Sequence, residues 1–251
     1  MSHLSRNPSP LLTVSSLVIR RSRSFTLAIP HFELLSGKIT SLVGANGCGK
    51  TTFLEGLTGL VTPQGGEIRI NGYVQDGRQI EAKRHVGYIP DDDSWIIPEL
   101  TAAEYFKLLI SLAPKEEEKT LEKRTTELSS LLDFNAIDMQ TGALSHGNRK
   151  KVQIIAALMR RPKVLIVDEL RNGLDPIVIR VAERLVQAEA QAGTAVLAAT
   201  HDLWWAERFS DQVAILADGD IVLREKTARI QEEWGSLENC FLELCAGGIH
   251  E

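Results

Sequence analysis

The stretch Gly44-Ala45-Asn46-Gly47-Cys48-Gly49-Lys50-Thr51 decides the fold of this chain. It matches the pattern G-x-x-x-x-G-K-[ST], in which glycines let backbone N–H groups close around phosphates. A short and mostly apolar segment at residues 38–43 precedes this loop, and residues 51–60 have helical character. Strand, loop and helix therefore follow one another in the order that a phosphate-binding loop requires.

The residues of this loop have predicted roles in holding a nucleotide and a magnesium ion. The Lys50 ammonium would reach the β- and γ-phosphates, and the Thr51 hydroxyl would hold Mg²⁺. A glycine-rich turn without a ligand is the alternative, and the flanking strand and helix argue against it. The nucleotide-binding residues predicted in this segment are Gly44, Asn46, Gly47, Cys48, Gly49, Lys50, Thr51 and Thr52.

A second chemical signal lies at residues 164–169, which read Val-Leu-Ile-Val-Asp-Glu. The first four residues form an apolar run that is typical of a buried parallel strand. This strand would deliver Asp168 and Glu169 to the carboxyl edge of the sheet, where open α/β sheets bind their ligands. We predict that Asp168 holds Mg²⁺ and that Glu169 polarises the attacking water. The alternative is a pair of solvated carboxylates at a strand end.

Composition limits the classes of function. The chain has 251 residues, of which 43% are hydrophobic and 24% charged, as in an ordinary globular protein. Its formal net charge of -5 gives no general attraction for nucleic acid, so we expect no nucleic-acid partner. The three cysteines have neither zinc-site nor disulfide spacing, which suits a reducing cytoplasm. No apolar run approaches the roughly 18 residues of a spanning helix, so any membrane role needs another chain.

The rest of the chain alternates between strand and helix signals. Apolar alternation at residues 11–35, interrupted by a basic turn at residues 20–24, predicts an antiparallel hairpin. Apolar runs at residues 195–199 and 213–216 predict buried strands. The pattern predicts an α/β fold: a P-loop NTPase core with a mainly parallel sheet, an antiparallel β subdomain at the N-terminus and a helical insertion subdomain.

The predicted boundaries follow the changes in pattern. We place the core at about residues 11–90 and 162–228, and the helical subdomain at about residues 91–161. Residues 1–10 predict a loose tail without the features of a secretory signal. Apolar residues at near-helical spacing predict one short C-terminal helix over residues 229–251.

At this point the chain resembles the ATP-binding-cassette (ABC) ATPase family, in collinear order over residues 11–228, which form a single ABC ATPase domain. The signature loop of the family is similar to residues 144–148, Leu-Ser-His-Gly-Asn, and its D-loop is similar to residues 172–175, Asn-Gly-Leu-Asp. The resemblance implies that Ser145, Gly147 and Asp175 contact the nucleotide of an opposite subunit, helped by helix N-terminal amides. It also implies that His201 senses the γ-phosphate and holds the water or Glu169 in place.

This chain also departs from the family pattern. Asp91 stands where the family usually has glutamine, and we predict that its carboxylate still contacts Mg²⁺; an acidic surface turn without a catalytic part is the alternative. His146 replaces a signature glycine and Asn148 replaces glutamine, so that a side chain would crowd the nucleotide of the partner. The aromatic residue that commonly stacks on adenine has two candidate replacements, Arg21 and Phe25.

The resemblance implies a function and its partners. The chain is expected to bind and hydrolyse ATP with Mg²⁺, using Glu169, His201 and Lys50 as catalytic residues, and to power export through a separate membrane permease. The predicted partners are a second ATPase subunit, as a homodimer, and that permease, at the cytoplasmic face of the cell membrane. A soluble cassette ATPase of the iron–sulfur assembly type is the alternative. A P-loop kinase or switch GTPase would leave the Ser145 loop and the order of Glu169 and His201 unexplained.

Overall fold

The structure is a computed structural model that describes residues 9–22, 25–76, 80–92 and 96–246. Most of the predicted N-terminal tail, two residues of the basic turn, Arg23 and Ser24, and the last five residues of the predicted C-terminal helix lie outside these residues. Within them, no helix combines the length and the apolar character that crossing a bilayer requires.

The strands fall into two sheets. A four-stranded antiparallel sheet has the order β2-β1-β4-β5, and a six-stranded sheet has the order β10-β9-β3-β8-β7-β6. The second sheet is parallel except at its β10 edge, as expected for a P-loop NTPase core. The strands are β1 (Pro10–Arg20), β2 (Thr26–Leu35), β3 (Ile39–Val43), β4 (Gly65–Ile70), β5 (Tyr73–Val74), β6 (Val86–Ile89), β7 (Val164–Asp168), β8 (Ala195–Thr200), β9 (Gln212–Ala217) and β10 (Asp220–Lys226).

Helices cover both faces of the parallel sheet. One of them packs between the two sheets, where the rings of Phe32 and Phe53 meet edge to face with centroids 5.2 Å apart. The opposite face carries helices whose buried residues form one apolar cluster with the central strands. The helices are α1 (Lys50–Thr58), α2 (Ile80–Arg84), α3 (Ala102–Ser111), α4 (Glu118–Leu131), α5 (His146–Leu158), α6 (Pro176–Gln191), α7 (Leu203–Phe209), α8 (Thr227–Trp234) and α9 (Leu237–Ala246).

The helical middle third packs on that opposite face through buried apolar side chains. Phe106 of α3, Leu128 of α4 and Leu158 of α5 belong to the same cluster as residues of β7 and β8. Helix α3 begins with a capping box, in which Thr101 and Glu104 exchange hydrogen bonds with each other's backbone N–H. The insertion is therefore continuous with the core, and its position relative to β7 is fixed by packing.

The C-terminal segment differs from the prediction of one helix over residues 229–251, which is wrong. Helix α8 ends at Gly235, whose φ of 76° is a left-handed conformation that stops a helix and suits glycine. A new helix then starts, because the Ser236 hydroxyl accepts a hydrogen bond from the Asn239 N–H at 3.1 Å. Leu237 and Cys240 of α9 are buried against residues of β3 and β9.

Candidate active site

A cleft of about 570 Å³ opens at the carboxyl ends of β3, β6 and β7. Ligands of open α/β sheets bind at this edge, where successive strands end side by side. The predicted residues Asn46, Gly47, Gly49, Lys50, Thr51, Thr52, Asp91, Asp168 and Glu169 line it together with Arg21, Phe25, Glu55, Tyr88, Pro90 and Asp92. Residues that lie far apart in the sequence therefore meet in one cavity.

The loop between β3 and α1 is shaped by close approaches to its glycines. Gly49 has a φ of 113°, and a β-carbon at this position would lie 2.7 Å from Cζ of Phe25. A side chain on Gly44 would lie 2.4 Å from the carbonyl oxygen of Leu216. The loop can therefore fold back tightly before α1, which leaves the first backbone N–H groups of that helix free for an anion.

Lys50 is the first residue of α1, and its ammonium reaches back over the loop. It donates to the carbonyl oxygens of Gly44 at 2.6 Å and of Ala45 at 3.2 Å. The ammonium therefore lies over the concave side of the loop, within reach of a phosphate bound there. Cys48, which we predicted to be part of the nucleotide site, is buried in the wall of the loop and does not line the cleft.

The two adenine candidates both lie at the same end of the cleft. The Nε of Arg21 donates to the Thr52 hydroxyl at 3.4 Å, and its guanidinium pairs with Glu55. Phe25 is half-buried, with its ring against Gly49. The β1–β2 hairpin thus supplies a guanidinium plane and an aromatic ring next to the phosphate loop.

Asp168 ends β7 and is only 7% exposed. Burial raises its pKa to about 6, and the negative charges of Asp91 and Glu169 act in the same direction. The positive charges of Lys150 and Lys50 oppose this rise in the pKa. Because burial and like charges disfavour the ionised form of Asp168, a cation that enters the cleft would stabilise this carboxylate.

Glu169 follows directly, with a backbone φ of 46° that is rare for a residue other than glycine. Its Oε2 accepts a hydrogen bond from the Thr200 hydroxyl at 3.0 Å. Its Oε1 accepts one from the backbone N–H of His201 at 3.0 Å and lies 2.8 Å from the Nδ1 of His201. The end of β8 therefore fixes both oxygens of this carboxylate, and strained backbone of this kind is concentrated at functional sites.

Asp91 lies in a loop after β6 that side chains from elsewhere hold in place. Its Oδ1 accepts a hydrogen bond from Nδ2 of Asn172 at 2.8 Å. The backbone carbonyls on either side of it accept hydrogen bonds from α5: that of Pro90 from Lys150 at 2.7 Å, and that of Asp92 from Gln153 at 2.5 Å. This placement brings the Asp91 carboxylate to the cleft beside Asp168. The third residue of the predicted acidic stretch, Asp93, lies outside the described residues.

The sequence analysis did not predict the roles of Thr200, Asn172 and Lys150 at this site, although it matched residues 172–175 to the D-loop. One signal could have indicated Lys150, because it precedes the buried residues Ile154 and Leu158 by four and eight positions on one face of α5. A lysine in an apolar helix stripe is rarely fully buried unless it has hydrogen-bond partners. Thr200 and Asn172 carry no such local signal, because their roles depend on strands that meet only in the fold.

The signature-loop residues do not line this cleft. Ser145 is exposed and caps α5 by accepting a hydrogen bond from the Asn148 N–H at 3.3 Å. The His146 ring lies against Gly173, where a β-carbon would be 2.0 Å from its Cδ2, so the ring packs on the chain's own D-loop. Gly147 approaches the same segment closely, since a β-carbon there would lie 2.7 Å from the Gly173 carbonyl oxygen.

Asp175 is likewise outside the cleft and caps α6. Its carboxylate accepts hydrogen bonds from the backbone N–H groups of Ile177 and Val178, both at 3.0 Å. The hydrogen bond from Val178 is the main reason why the pKa of Asp175 lies below its usual value. Ser145 and Gly147 therefore lie at the start of α5, where anions bind well. At the start of α6 the carboxylate of Asp175 itself accepts from the free N–H groups.

The oxygen donors of the cleft suit a magnesium ion. The Thr51 hydroxyl and the carboxylates of Asp168 and Asp91 line one cavity, and Mg²⁺ prefers oxygen ligands. In the described part of the chain, no group of three or more His, Cys, Asp or Glu side chains forms a metal cage. Magnesium ions that accompany nucleotides are held by one or two carboxylates plus phosphates, so this donor set fits.

Comparison with known proteins agrees with this geometry. Residues 27–172 match the family described as ABC transporter. The ABC-type transporter ATP-binding protein EcsA of Bacillus subtilis is 32% identical over 93% of this chain and 96% of EcsA. Human phospholipid-transporting ATPase ABCA3 is 32% identical over 82% of this chain, which spans 12% of the length of that protein. The chain therefore belongs to the ABC transporter family.

Solved structures support the same assignment. A structure described as the ATP-binding subunit of an ABC transporter has a TM-score of 0.85 and 29% identity, and the match covers 93% of this chain and 99% of that one. A dimeric ATP-binding cassette in a post-hydrolysis state, bound to ADP and phosphate, shares the fold with a TM-score of 0.73 at 22% identity over 86% and 98% of the two chains. This chain is an ATP-binding subunit of an ABC transporter, and it is an ATPase.

Proposed function

We propose that this chain is the motor subunit of an ABC exporter, in which two copies close on two ATP molecules with Mg²⁺ and drive a separate membrane permease. The observation that carries this proposal is the Glu169 carboxylate, which Thr200 and His201 fix on both oxygens. It lies in the same cleft as Lys50 and Asp168. A chain with a fixed carboxylate, a phosphate-binding lysine and a metal-binding aspartate has the groups that hydrolysis needs.

Nucleotide binding starts with the loop between β3 and α1. Its backbone N–H groups and the N-terminus of α1 attract the phosphates, and Lys50 moves its ammonium from loop carbonyls to phosphate oxygens. Thr51, Asp168 and Asp91 would hold Mg²⁺, which supplies neutralisation of charge on the phosphate oxygens. Arg21 and Phe25 offer two planar groups for the base at the hairpin end of the cleft.

Glu169 performs the proton chemistry. Its Oε1 and Oε2 are held so that the carboxylate can orient a water molecule and accept its proton as the water attacks the γ-phosphate. The His201 side chain is 67% exposed and lies 2.8 Å from Oε1, so it can contact both the carboxylate and a γ-phosphate. Thr200 is a positioning residue, because it acts through Glu169.

Closure of two copies would complete each site. Ser145, Gly147 and Asp175 lie at helix starts outside the cleft of their own chain, and the N–H groups at the start of α5 attract anions. A second copy, related by a two-fold axis, would present these residues to the γ-phosphate of the first. The dimeric cassette bound to ADP and phosphate shares this fold, which supports such an assembly.

The permease rests on likeness to a transporter subunit, and export is the direction that the resemblance of the sequence to the family's exporters implies. EcsA matches this chain along nearly its whole length and is named as the ATP-binding protein of a transporter. By the same likeness, a separate permease would bind this chain at the cytoplasmic face of the cell membrane.

The partner can be tested directly. Affinity-tagged chain is purified from native membranes solubilised in mild detergent, and co-purifying proteins are quantified by mass spectrometry. We expect one polytopic membrane protein in stoichiometric amount, which also remains with the Glu169→Gln variant, because this variant keeps the surface of the chain. If both the wild-type chain and the Glu169→Gln variant recover soluble partners alone, this would contradict the proposed role as a transporter motor and favour a soluble cassette ATPase.

The direction of transport needs a second measurement. Cells that carry only Glu169→Gln are compared with wild-type cells by profiling small molecules inside the cells and in the medium. Export predicts a compound that accumulates inside the variant cells and falls in the medium. Import predicts depletion inside the cells, and that result would contradict the exporter assignment while leaving the ATPase site intact.

A further inference from the structure

Lys150 carries a buried amine that ATP binding and hydrolysis, as described above, do not use. It lies in the second turn of α5, and its side chain is fully buried at 0% exposure. Its Nζ donates to the carbonyl oxygen of Pro90 at 2.7 Å and to that of Asp168 at 3.2 Å. Burying an ammonium costs several kcal/mol unless hydrogen bonds and nearby negative charge compensate. A lysine at this position therefore needs a reason.

Nearby carboxylates supply that reason. Both carbonyls that Lys150 contacts belong to segments that carry acidic groups: Pro90 precedes Asp91, and Asp168 precedes Glu169. All three carboxylates line the cleft, and their only lysine neighbour among the described lining residues is Lys50. Lys50 is committed to phosphate when a nucleotide binds. Asp92 and Glu55 also line the cleft, and the other cation of the described lining, Arg21, pairs with Glu55. A polyphosphate would then meet the carboxylates of Asp91, Asp92, Asp168 and Glu169 with no further lysine in the described lining.

We propose that Lys150 is a positioning residue whose buried positive charge offsets the charge of Asp91, so that a polyphosphate binds beside the carboxylates of Asp91, Asp168 and Glu169. The effect is electrostatic and acts through the wall of the cleft, since Lys150 is not among its lining residues. Interactions of a buried charge are screened less by solvent than those of a surface charge. The inference rests on the cleft as the nucleotide site and needs neither permease nor export.

The same side chain also fixes the loop that carries Asp91. Lys150 holds the Pro90 carbonyl, Gln153 holds the Asp92 carbonyl, and Asn172 donates to the Asp91 carboxylate. Hydrogen bonding alone is therefore a competing account of Lys150. The two accounts predict different effects of removing Lys150 once Asp91 is uncharged. If Lys150 offsets the charge of Asp91, its loss then weakens nucleotide binding much less. If Lys150 acts by hydrogen bonding alone, its loss weakens binding equally whether Asp91 is charged or not.

A double-mutant cycle separates them. The variants are Lys150→Gln, Asp91→Asn and the pair, and the readout is the affinity for a fluorescent ATP analogue. The titrations contain EDTA, so that coordination of Mg²⁺ by Asp91 does not contribute. Lys151→Gln is the matched control, because this neighbour on α5 donates to the surface carbonyl of Asp133 at 3.0 Å. Circular dichroism melts show that each variant is folded.

Charge compensation predicts a definite pattern. Lys150→Gln weakens binding about 10-fold in the wild-type chain and Asp91→Asn tightens it about 3-fold, whereas adding Lys150→Gln to Asp91→Asn costs less than about 3-fold, so that the double variant binds about as well as wild type or better. Lys151→Gln stays within about 2-fold of wild type. A loss of about 3-fold or more from Lys150→Gln in the Asp91→Asn background, which makes the double variant weaker than wild type, would overturn the inference and leave hydrogen bonding as the role of Lys150.

Two other outcomes also decide the question. If Lys150→Gln does not fold, Asp91→Asn alone still tests the premise that the charge of Asp91 opposes a polyphosphate, because Asp91 is exposed and its replacement is isosteric. Unchanged or weaker binding by Asp91→Asn then overturns the inference. A wild-type chain that binds no nucleotide, with EDTA or with Mg²⁺, would overturn both this inference and the proposed motor function. Failure of the cycle in a chain that binds nucleotide overturns the inference alone.

Discussion

The carboxylate edge and the signature loop of this molecule are built in opposite ways. At the carboxylate edge, Glu169 has its partners Thr200 and His201 in the same chain, with all three hydrogen-bond distances between 2.8 and 3.0 Å. At the signature loop, Ser145 is exposed, and its hydroxyl accepts a hydrogen bond from the Asn148 N–H at the start of its own helix. Under the proposed function, the groups that hydrolysis needs are therefore held together within one chain, whereas the signature loop would act on a second copy.

The largest effect is expected from Glu169→Gln, which tests whether the carboxylate edge is the catalytic half. Removing a general base lowers turnover by about 10²–10⁴-fold, while the isosteric amide leaves the cleft in place. ATP binding should persist and hold two copies together. Phosphate release and size-exclusion chromatography with light scattering measure both. Turnover above a tenth of the wild-type rate would assign the proton chemistry to another group.

Lys50→Ala should come next. Loss of one preorganised charge at the phosphates lowers turnover by about 10²–10³-fold, and it also weakens ATP binding. The thermal melting temperature should change little, because the Nζ of Lys50 donates to carbonyls of its own loop, those of Gly44 and Ala45. Lys83→Ala, at an exposed position of α2, is the control for loss of a lysine. Equal turnover in the two variants would remove Lys50 from the site.

The sequence predicted the carboxylate edge better than its surroundings, for a physical reason. The phosphate loop and the Asp168-Glu169 pair are local patterns next to strands that are mostly apolar and buried throughout, so position alone brings them to one edge of the sheet. Thr200, Asn172 and Lys150 reach that edge only through tertiary packing. The break at Gly235 was missed because the apolar spacing continues on both sides of it.

The signature loop shows the same limit. Its resemblance to the family located Ser145 and Gly147, and the structure then placed both outside the cleft of their own chain. The expectation that His146 would crowd a partner's nucleotide came from its side-chain volume. In the fold the ring packs on Gly173, a contact between segments that are 27 positions apart and that no local pattern indicates. The expectation about the nucleotide of a partner stays a prediction.

Asp168→Asn is predicted to stabilise the nucleotide-free chain. The pKa of Asp168 is raised from 3.8 to about 6, so the folded state binds more protons than the unfolded state between these values. Stability from this group is thus present at low pH and is lost as pH rises toward 6. Above that pH the cost is at most about 3 kcal/mol.

The measurement is urea unfolding of wild type and Asp168→Asn in EDTA between pH 4 and 8. We expect the variant to be about 1–3 kcal/mol more stable at pH 7.5, with a gap that narrows toward pH 4. A gap that does not depend on pH would mean that the charge of Asp168 is not under strain. The carboxylate edge would then lack the like-charge repulsion and the unfavourable burial that distinguish it from the signature loop.

Ser145→Ala should have the smallest effect and tests the other half of the comparison. Loss of the N-cap of α5 costs about 1 kcal/mol of stability, and Thr101→Ala at the cap of α3 serves as a matched control with a similar cost. Both changes are made in the Glu169→Gln background. If the signature loop acts on a second copy, Ser145→Ala weakens the ATP-dependent dimer about 10-fold, whereas Thr101→Ala does not. Binding of ATP to the monomer should be the same in both variants, because neither side chain lines the cleft.

Equal dimer affinity in the two variants, measured by light scattering over a range of protein concentrations, would mean that Ser145 is only a helix cap. The division between a preassembled edge and a loop that acts on the second copy would then have to be abandoned for this residue.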